Sequence, residues 1–373
     1  MADYTTIDDP SAHFQTATWT GNTSAPRSIT NDGNSNLQPD IVWGKNRTTN
    51  GTDHELYDST RGTGTSYNLK PNSTVAEGIS TTYGQLTSFN TDGFTVNAGG
   101  TNDDFWNENG SEFVAWQWKV NGGTTSSNTD GDLTSTVQAN TTAGISIFTY
   151  TGKDPIEPLD IGHGLGSVPD FFVIKRRNGG SRNWGLYHHK MAATPQNNYL
   201  RWNSTNAIAA ASTWWRNEAP TSTIIKTGEQ ADVNQPNDTF VGYAFKSIQG
   251  FSKFGSYIAN GQADGPFVYT GFKPTFLILR NVTNAGYNWW ILDHKRNTFN
   301  LTDEVLYTNL SAAEFDGSGH ASNMGVDFLS NGFKVRTTNT GINNTGGNNI
   351  YMAWAENPFV TSTSTNSIPT TAR

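Results

Sequence analysis

Three places in the chain set an acid or an imidazole at the end of an apolar run: Asp58, His188-His189 and Asp293-His294. An imidazole beside a carboxylate can pass a proton to and from a substrate, which is general acid–base chemistry. The surrounding residues, HELYDSTR (54–61), NWGLYHHK (183–190) and WWILDHKR (289–296), are versions of one another, yet the key position reads Asp, His, Asp. Equivalent positions that vary in this way suit hydrogen bonding in a loop better than a reaction. No G-x-S-x-G elbow, HExxH pair or phosphate loop occurs. GHGLGS (162–167) leads into the apolar run PDFFVIK instead of opening a helix, so it reads as a turn. The residues predict no enzyme and no catalytic set.

Two other chemistries need testing. Asn128-x-Asp130-Gly-Asp132 and Asn102-Asp103-Asp104 cluster oxygen ligands. Neither completes a calcium loop, which needs about six to eight oxygens. Both read as solvated turns, and no metal or cofactor is expected. Sugar binding asks for exposed aromatic rings beside Asn, Asp and Arg. STWWRNE (212–218) offers Trp214, Trp215 and Arg216 where the related segments have no such pair, and Phe105-Trp106 offers a second candidate loop. These five residues are the predicted ligand-binding set, with at least one ring of each pair expected to be exposed.

The elements that would hold these residues come in three copies. FVAWQWK (113–119) returns as FVGYAFK (240–246) and, in the sequence alignment, as YMAWAEN (351–357). PDIVWGK (39–45), PDFFVIK (169–175) and PTFLILR (274–280) precede them at spacings of 76, 73 and 79 residues between Pro39 and Ala115, Pro169 and Gly242, and Pro274 and Ala353. Between these anchors fall Leu69-x-x-Asn72, Leu200-x-x-Asn203 and Leu306-x-x-Asn309, then SFNTDGFTV (88–96) and FLSNGFKV (328–335). ATWTG (17–21), FTYTG (148–152) and FGSYIANG (254–261) lead the units. Short β-branched and aromatic runs divided by Gly-containing turns predict an all-β protein of tandem jelly-roll or concanavalin-like β-sandwich units with very little helix. Thr74-x-x-Glu77 and Ser311-x-x-Glu314 are capping-box patterns that predict a single helical turn each.

The predicted division is unit 1 at 1–119, a Gly/Ser/Thr-rich linker at 120–144, unit 2 at 145–246, unit 3 at 247–360 and a flexible tail at 361–373. The long polar linker suggests that unit 1 stands apart while units 2 and 3 pack together. In FVAWQWK, Val114, Trp116 and Trp118 share one strand face, while Phe113 and Ala115 share the other. Both faces recur as apolar or small in the copies, so the two tryptophans are expected in a core rather than on a sugar platform.

Composition narrows the function classes. The 373 residues carry a net charge of −8, and the densest basic run is Lys175-Arg176-Arg177, so nucleic acid and anionic membranes are excluded as partners. Cysteine is absent, which removes disulfides and thiolate metal sites. MADYTTIDDP is not a signal peptide, and no apolar run approaches a membrane span, so no membrane insertion is expected.

IDDPSAHFQTATWTG, PDIVWGKNR, ELYDSTRG, TSFNTDGFTV, FVAWQWK, the 120–144 segment, GHGLGSVPDFFVIKRR and NWGLYHH together resemble virion structural and tail-fibre-like proteins of tailed bacteriophages, most closely those of marine cyanophages. The resemblance covers nearly the whole chain. It implies concanavalin-like or laminin-G-like sandwiches, a place in the virion after synthesis in the host cytoplasm, and other virion proteins as partners. It also implies a tail-fibre or tail-tip adhesin that contacts host-surface carbohydrate. A capsid decoration or head-fibre protein is the alternative, and the lack of any heptad or fibrous repeat favours it. A surface-polysaccharide depolymerase would need paired carboxylates that the sequence does not single out. Phage appendages of this kind are often homotrimers, and nothing in the sequence encodes one.

Overall fold

The computed structural model describes residues 5–78, 81–99, 105–154, 156–319 and 324–357; the predicted tail and Asn102-Asp103-Asp104 lie outside them. The protein is all-β, as expected, and is built from antiparallel sheets packed as sandwiches. Each unit has the same main sheet. A leading strand (Phe14–Thr20, Ile145–Thr151, Ser252–Ile258) pairs with a central strand (Glu112–Trp118, Thr239–Phe245, Asn348–Trp354). The central strand pairs on its other side with the Pro-led strand (Ile41–Asn46, Phe171–Arg176, Phe276–Asn281), and that with a third strand (Glu55–Asp58, Gly185–His188, Trp290–Asp293). A minor sheet covers one face: Arg27–Ile29 with Phe94–Asn97 and Gln85–Phe89, Leu159–Gly162 with Ile224–Thr227, and Phe267–Tyr269 with Gly332–Val335 and Val326–Leu329.

All six residues of each Pro-led strand are buried. A strand covered on both faces reads as a continuous apolar run, which is what PDFFVIK and PTFLILR are. One face of each main sheet packs on its own minor sheet: Ala17, Val42, Tyr57, Phe94 and Ala115 form such a core in unit 1. The other face meets the other two units in one large shared core. Within it, Trp118, Phe245 and Trp354 occupy equivalent places on the three central strands, and the Trp354 ring lies 5.5 Å from Trp118 and 5.6 Å from Phe245. A wholly apolar cavity of about 60 Å³ beside them is lined by side chains of all three units.

The three units close a ring, and the same main-chain contacts recur at each seam. The N–H groups of Glu77, Ile208 and Glu314 donate to the carbonyls of Arg177 (2.7 Å), Val282 (3.1 Å) and Arg47 (2.8 Å) of the next unit. The N–H groups of Arg182, Gly286 and Gly51 donate to the carbonyls of Thr74 (2.7 Å), Thr205 (2.8 Å) and Ser311 (3.0 Å). Trp184, Trp289 and His54, each immediately before a third strand, donate a ring N–H to Lys70, Ser204 and Tyr307 carbonyls at 3.0, 3.2 and 2.9 Å. Each contact runs from one unit to the next in a single sense, the property of a heterologous interface whose rotation closes.

Several sequence expectations are corrected by this arrangement. Unit 1 does not stand apart; it touches both others. The 120–144 segment is no free linker. Ser126–Asn128 and Ser135–Asn140 form a hairpin that extends unit 2's main sheet beyond its leading strand. The Asp40 carboxylate anchors its start, accepting N–H groups of Val120, Gly122 and Gly123 at 2.6, 2.9 and 2.8 Å. The two capping-box segments form no helix, because their Glu77 and Glu314 reach across the seams instead. The third copy of FVAWQWK is displaced. Strand pairing sets Trp354, not Glu356, opposite Phe276, as Trp118 faces Ile41 and Phe245 faces Phe171. The true copy is NIYMAWA (349–355), and the corrected anchor spacing from Pro274 is 77 residues, to Tyr351. A slip of two residues preserves which face each side chain occupies, so the alternation could not reveal it.

Trp116 is fully buried, as the repeat pattern predicted, and its indole N–H donates to Asp293 of unit 3 at 3.0 Å. Trp116→Ala should therefore cost roughly 3–5 kcal/mol in denaturant unfolding. Because unit 1 alone would expose its ring-facing aromatics, residues 1–120 expressed without the rest should fail to give a cooperative monomeric transition. A well-behaved isolated unit 1 would contradict the shared core.

Candidate functional site

The acid–base candidates lie at the seams. Arg61 binds Asp58 of its own unit at 2.5 Å and also Glu77, while Tyr243 of unit 2 donates its hydroxyl to Asp58 at 2.6 Å and Arg177 binds Glu77 at 2.7 Å. The seam between units 3 and 1 repeats the plan. Arg296 binds Asp293 at 2.6 Å and also Glu314, Trp116 donates to Asp293, and Arg47 binds Glu314 at 2.5 Å. Burial pushes the Asp293 and Glu314 carboxyls up, but Arg296, with Trp116 at the first and Arg47 at the second, holds both below their usual values. The third seam carries His188 in the aspartate's place, with Met191 and Ile208 where Arg61 and Glu77 stand.

His188 is unsuited to proton transfer. Its Nδ1 accepts the Lys190 N–H at 3.1 Å, so Nε2 carries the proton and donates to the Tyr351 carbonyl at 3.3 Å. Burial depresses its pKa to about 3. His54 has the same tautomer, accepting from the Trp43 indole at 3.0 Å. His163 in GHGLGS does likewise, with Nδ1 on Leu165 N–H and Nε2 on the Thr221 carbonyl. Both nitrogens of each ring are engaged in fixing the chain. Lys175 lies buried between the Thr74 and Arg182 carbonyls, and Arg176 and Arg177 bind Asp238 and Glu77. The basic run is thus part of the framework.

The predicted sugar-binding aromatics are placed differently from the expectation. Trp214, Trp215, Phe105 and Trp106 are all buried, so none offers an open ring face. Trp214 stacks on Tyr199 at 4.2 Å and lies over Gly185, where any side chain would collide with it. Unit 3 has Trp290 at the position of Gly185, so the two tryptophans fill one volume from different places in the chain. Trp106 lies over Gly44 in the same way, where units 2 and 3 carry Ile174 and Leu279. These are compensating volume exchanges within a packed core.

Trp106-Asn107 belongs to a landmark that sequence reading missed. The carbonyls of Trp106, Val233 and Ile342 accept hydrogen bonds from Trp19, Tyr150 and Tyr257 of the leading strands, and Asn107, Asn234 and Asn343 follow them, all buried. Each Asn lies six residues before the equivalent positions Phe113, Phe240 and Asn349. That constant spacing was the available signal, and it also gives the correct register of the third copy.

Of the predicted set, Arg216 alone reaches the surface. Its backbone is left-handed (φ 56°), as is that of Asn217 (φ 57°), which turns the chain out of the short Ser212–Trp215 helix. Its guanidinium binds Asp160 at 2.7 Å and Glu218 at 3.0 Å, beside a groove of about 360 Å³ lined by Pro158, Ser212, Thr213, Gly228 and Glu229. In Asn128-x-Asp130-Gly-Asp132, Asn128 accepts the Asp130 N–H at 3.0 Å and Asp132 accepts the Asp160 N–H at 2.8 Å, so both oxygens serve the turns.

The protein is thus a single-chain ring of three β-sandwiches with buried aspartate–arginine–glutamate sets at two of its three seams. A family model described as a domain of unknown function, DUF7483, matches residues 9–358, and the chain belongs to that family. The match spans all three units, so the domain is the ring and not one sandwich. No curated protein and no solved structure matches the chain.

The depressed carboxyls set an acid dependence. A carboxyl lowered in the fold contributes stability that is present above its unfolded value and lost as pH falls through its folded value. Unfolding midpoints should therefore drop as pH falls below the ordinary values of 3.8 and 4.5 for Asp293 and Glu314. Glu314→Gln should cost roughly 3–5 kcal/mol at neutral pH by leaving two guanidinium groups short of a partner, and should flatten the acid limb.

Proposed function

We propose that the chain is a non-enzymatic structural protein of a tailed-phage virion, a rigid three-sandwich head that contacts host-surface glycans from a tail fibre or tail tip. One observation carries the non-enzymatic part. The Asp58 and Asp293 carboxylates and the His54 and His188 rings, the acid–base groups of the repeated strands, are buried in ion pairs and hydrogen bonds that join the units. The ring supplies stiffness, and the segments in which the units differ supply the contact surface. The family resemblance supports the virion setting, and the net charge of −8 fits a partner that is neither nucleic acid nor an anionic membrane.

A capsid decoration or head-fibre role is the second reading, and the ring favours it. Three similar units in cyclic order give one chain the pseudo-threefold shape that suits a three-fold or quasi-three-fold junction of capsid chains. Electron cryomicroscopy of virions carrying the protein separates the two by position and copy number. The adhesin reading expects few copies at the tail end, and purified chain that competes with virions for adsorption. Tens to hundreds of copies on emptied heads, with no effect on adsorption, would replace it with the decoration reading. Absence from the particle would end both.

A further inference from the structure

We infer that unit 3 carries an oligosaccharide-binding cleft, built on Phe267 and Tyr269 of the minor-sheet edge strand and opening between that strand and the start of the leading strand. This inference rests on the glycan-contact reading above and gives it a location. Phe267 and Tyr269 are 47% and 60% exposed, while Val268 between them is buried in the sandwich. Two residues apart on one strand, their rings project from the same face about 7 Å apart. The Phe267 ring edge lies over Gly332 of the paired strand, yet much of both rings stays open to solvent, where large apolar side chains cost solubility.

The other two units serve as internal controls. Register and burial equate Val268 with Ile29 and Ile161. The neighbours are then Ser28 and Thr30, both exposed, in unit 1, and in unit 2 Asp160 and Gly162, the latter buried beneath Asn128 of the 126–140 hairpin. Unit 1 shows that the fold is satisfied by exposed Ser and Thr at these two places, so the sandwich itself does not require two aromatics in unit 3.

The cleft beside Tyr269 has a volume of about 310 Å³ and is lined by Ser247, Gln249, Ser252, Lys253, Thr270 and Gly271. In the sister units the same place is closed. Lys253 takes the position of Gln15 and Ser146. Gln15 is buried under a loop, donating to the Ser35 carbonyl at 2.7 Å and accepting the Gly33 N–H at 2.9 Å. Ser146 is buried against the His163 carbonyl, and the 126–140 hairpin runs along that edge. Unit 3, among the described residues, has neither cover. Among the described residues, the Gln249 amide and the Lys253 amine are exposed and make no hydrogen bond or ion pair within the chain. Donors and an acceptor beside a stacking ring match a pyranose, which offers hydroxyls at its rim and an apolar face. A protein partner would be expected to bury both rings against apolar surface, and the polar cleft next to them favours the sugar.

The test uses the full chain and an array of linear pyranose oligosaccharides: gluco-, galacto-, manno-, rhamno-, N-acetylglucosamine and uronate oligomers. Titration followed by NMR should find at least one that binds and shifts the Tyr269 ring protons. Phe267→Ser with Tyr269→Thr installs unit 1's own residues, so the melting temperature should hold while affinity falls about tenfold or more. Tyr269→Phe should keep most of the binding. Wild-type binding that the double variant retains would overturn this site and leave the glycan reading standing. No binding to any oligomer by the wild type would overturn both. A double variant that binds glycans normally but drops out of assembled particles would mark the face as a protein contact.

Discussion

The structure depends on main sheets that are apolar on both faces. A β-sheet covered on one side by its own minor sheet would still present Trp43, Trp116 and Trp118, or their copies, to water. Burying one such face against a single partner leaves that partner's other neighbour open. Three units in cyclic order leave no face over, and the side chains at Trp118, Phe245 and Trp354 meet where the sheets converge. Closure is thus a consequence of where the aromatic residues sit on the central strands.

Main chain and side chain divide the work at the seams. Two N–H to carbonyl bonds recur at all three, independent of the residues that bear them. The aspartate–arginine–glutamate sets recur at two only. Buried ion pairs are weak contributors to net stability but poor tolerators of mismatch, since each unpaired member is left as a buried charge. With His188, Met191 and Ile208 at the remaining seam, the three interfaces differ chemically while sharing one backbone geometry. Such a difference lets a chain with three similar units join them in one order, a registry role for buried polar groups.

Much of this was legible in the sequence, and the gaps have specific causes. The all-β class and the unit count came from anchors at near-constant spacing, and the core position of Trp116 and Trp118 from alternation repeated across copies. The two-residue slip in the third copy escaped because a strand's side chains have period two, so a shift of two keeps every face assignment intact. The 120–144 segment escaped because its strands pair through backbone groups, which composition does not report: Ser126–Asn128 contributes hydrogen bonds and almost no apolar area. Glu77 and Glu314 matched a capping box because the local pattern is the same whether the carboxylate turns back to its own backbone or outward to another unit's arginine.

The predicted aromatic site failed for a reason that also indicates where to look. Trp214 stands out because the other units lack the pair and Trp106 because it follows Asn102-Asp103-Asp104, but each is matched by a glycine beneath it, Gly185 and Gly44, where other units carry larger residues. A difference between copies that is balanced by an opposite difference within contact range is a packing exchange, and it leaves the surface unchanged. Phe267 and Tyr269 differ from their counterparts without such a balance. They point outward, the Gly332 beneath Phe267 is matched by Gly93 in unit 1 where no aromatic stands, and among the described residues the cover present in the sister units is absent beside them. In a repeat protein the informative positions are therefore those where the copies differ and the interior does not answer.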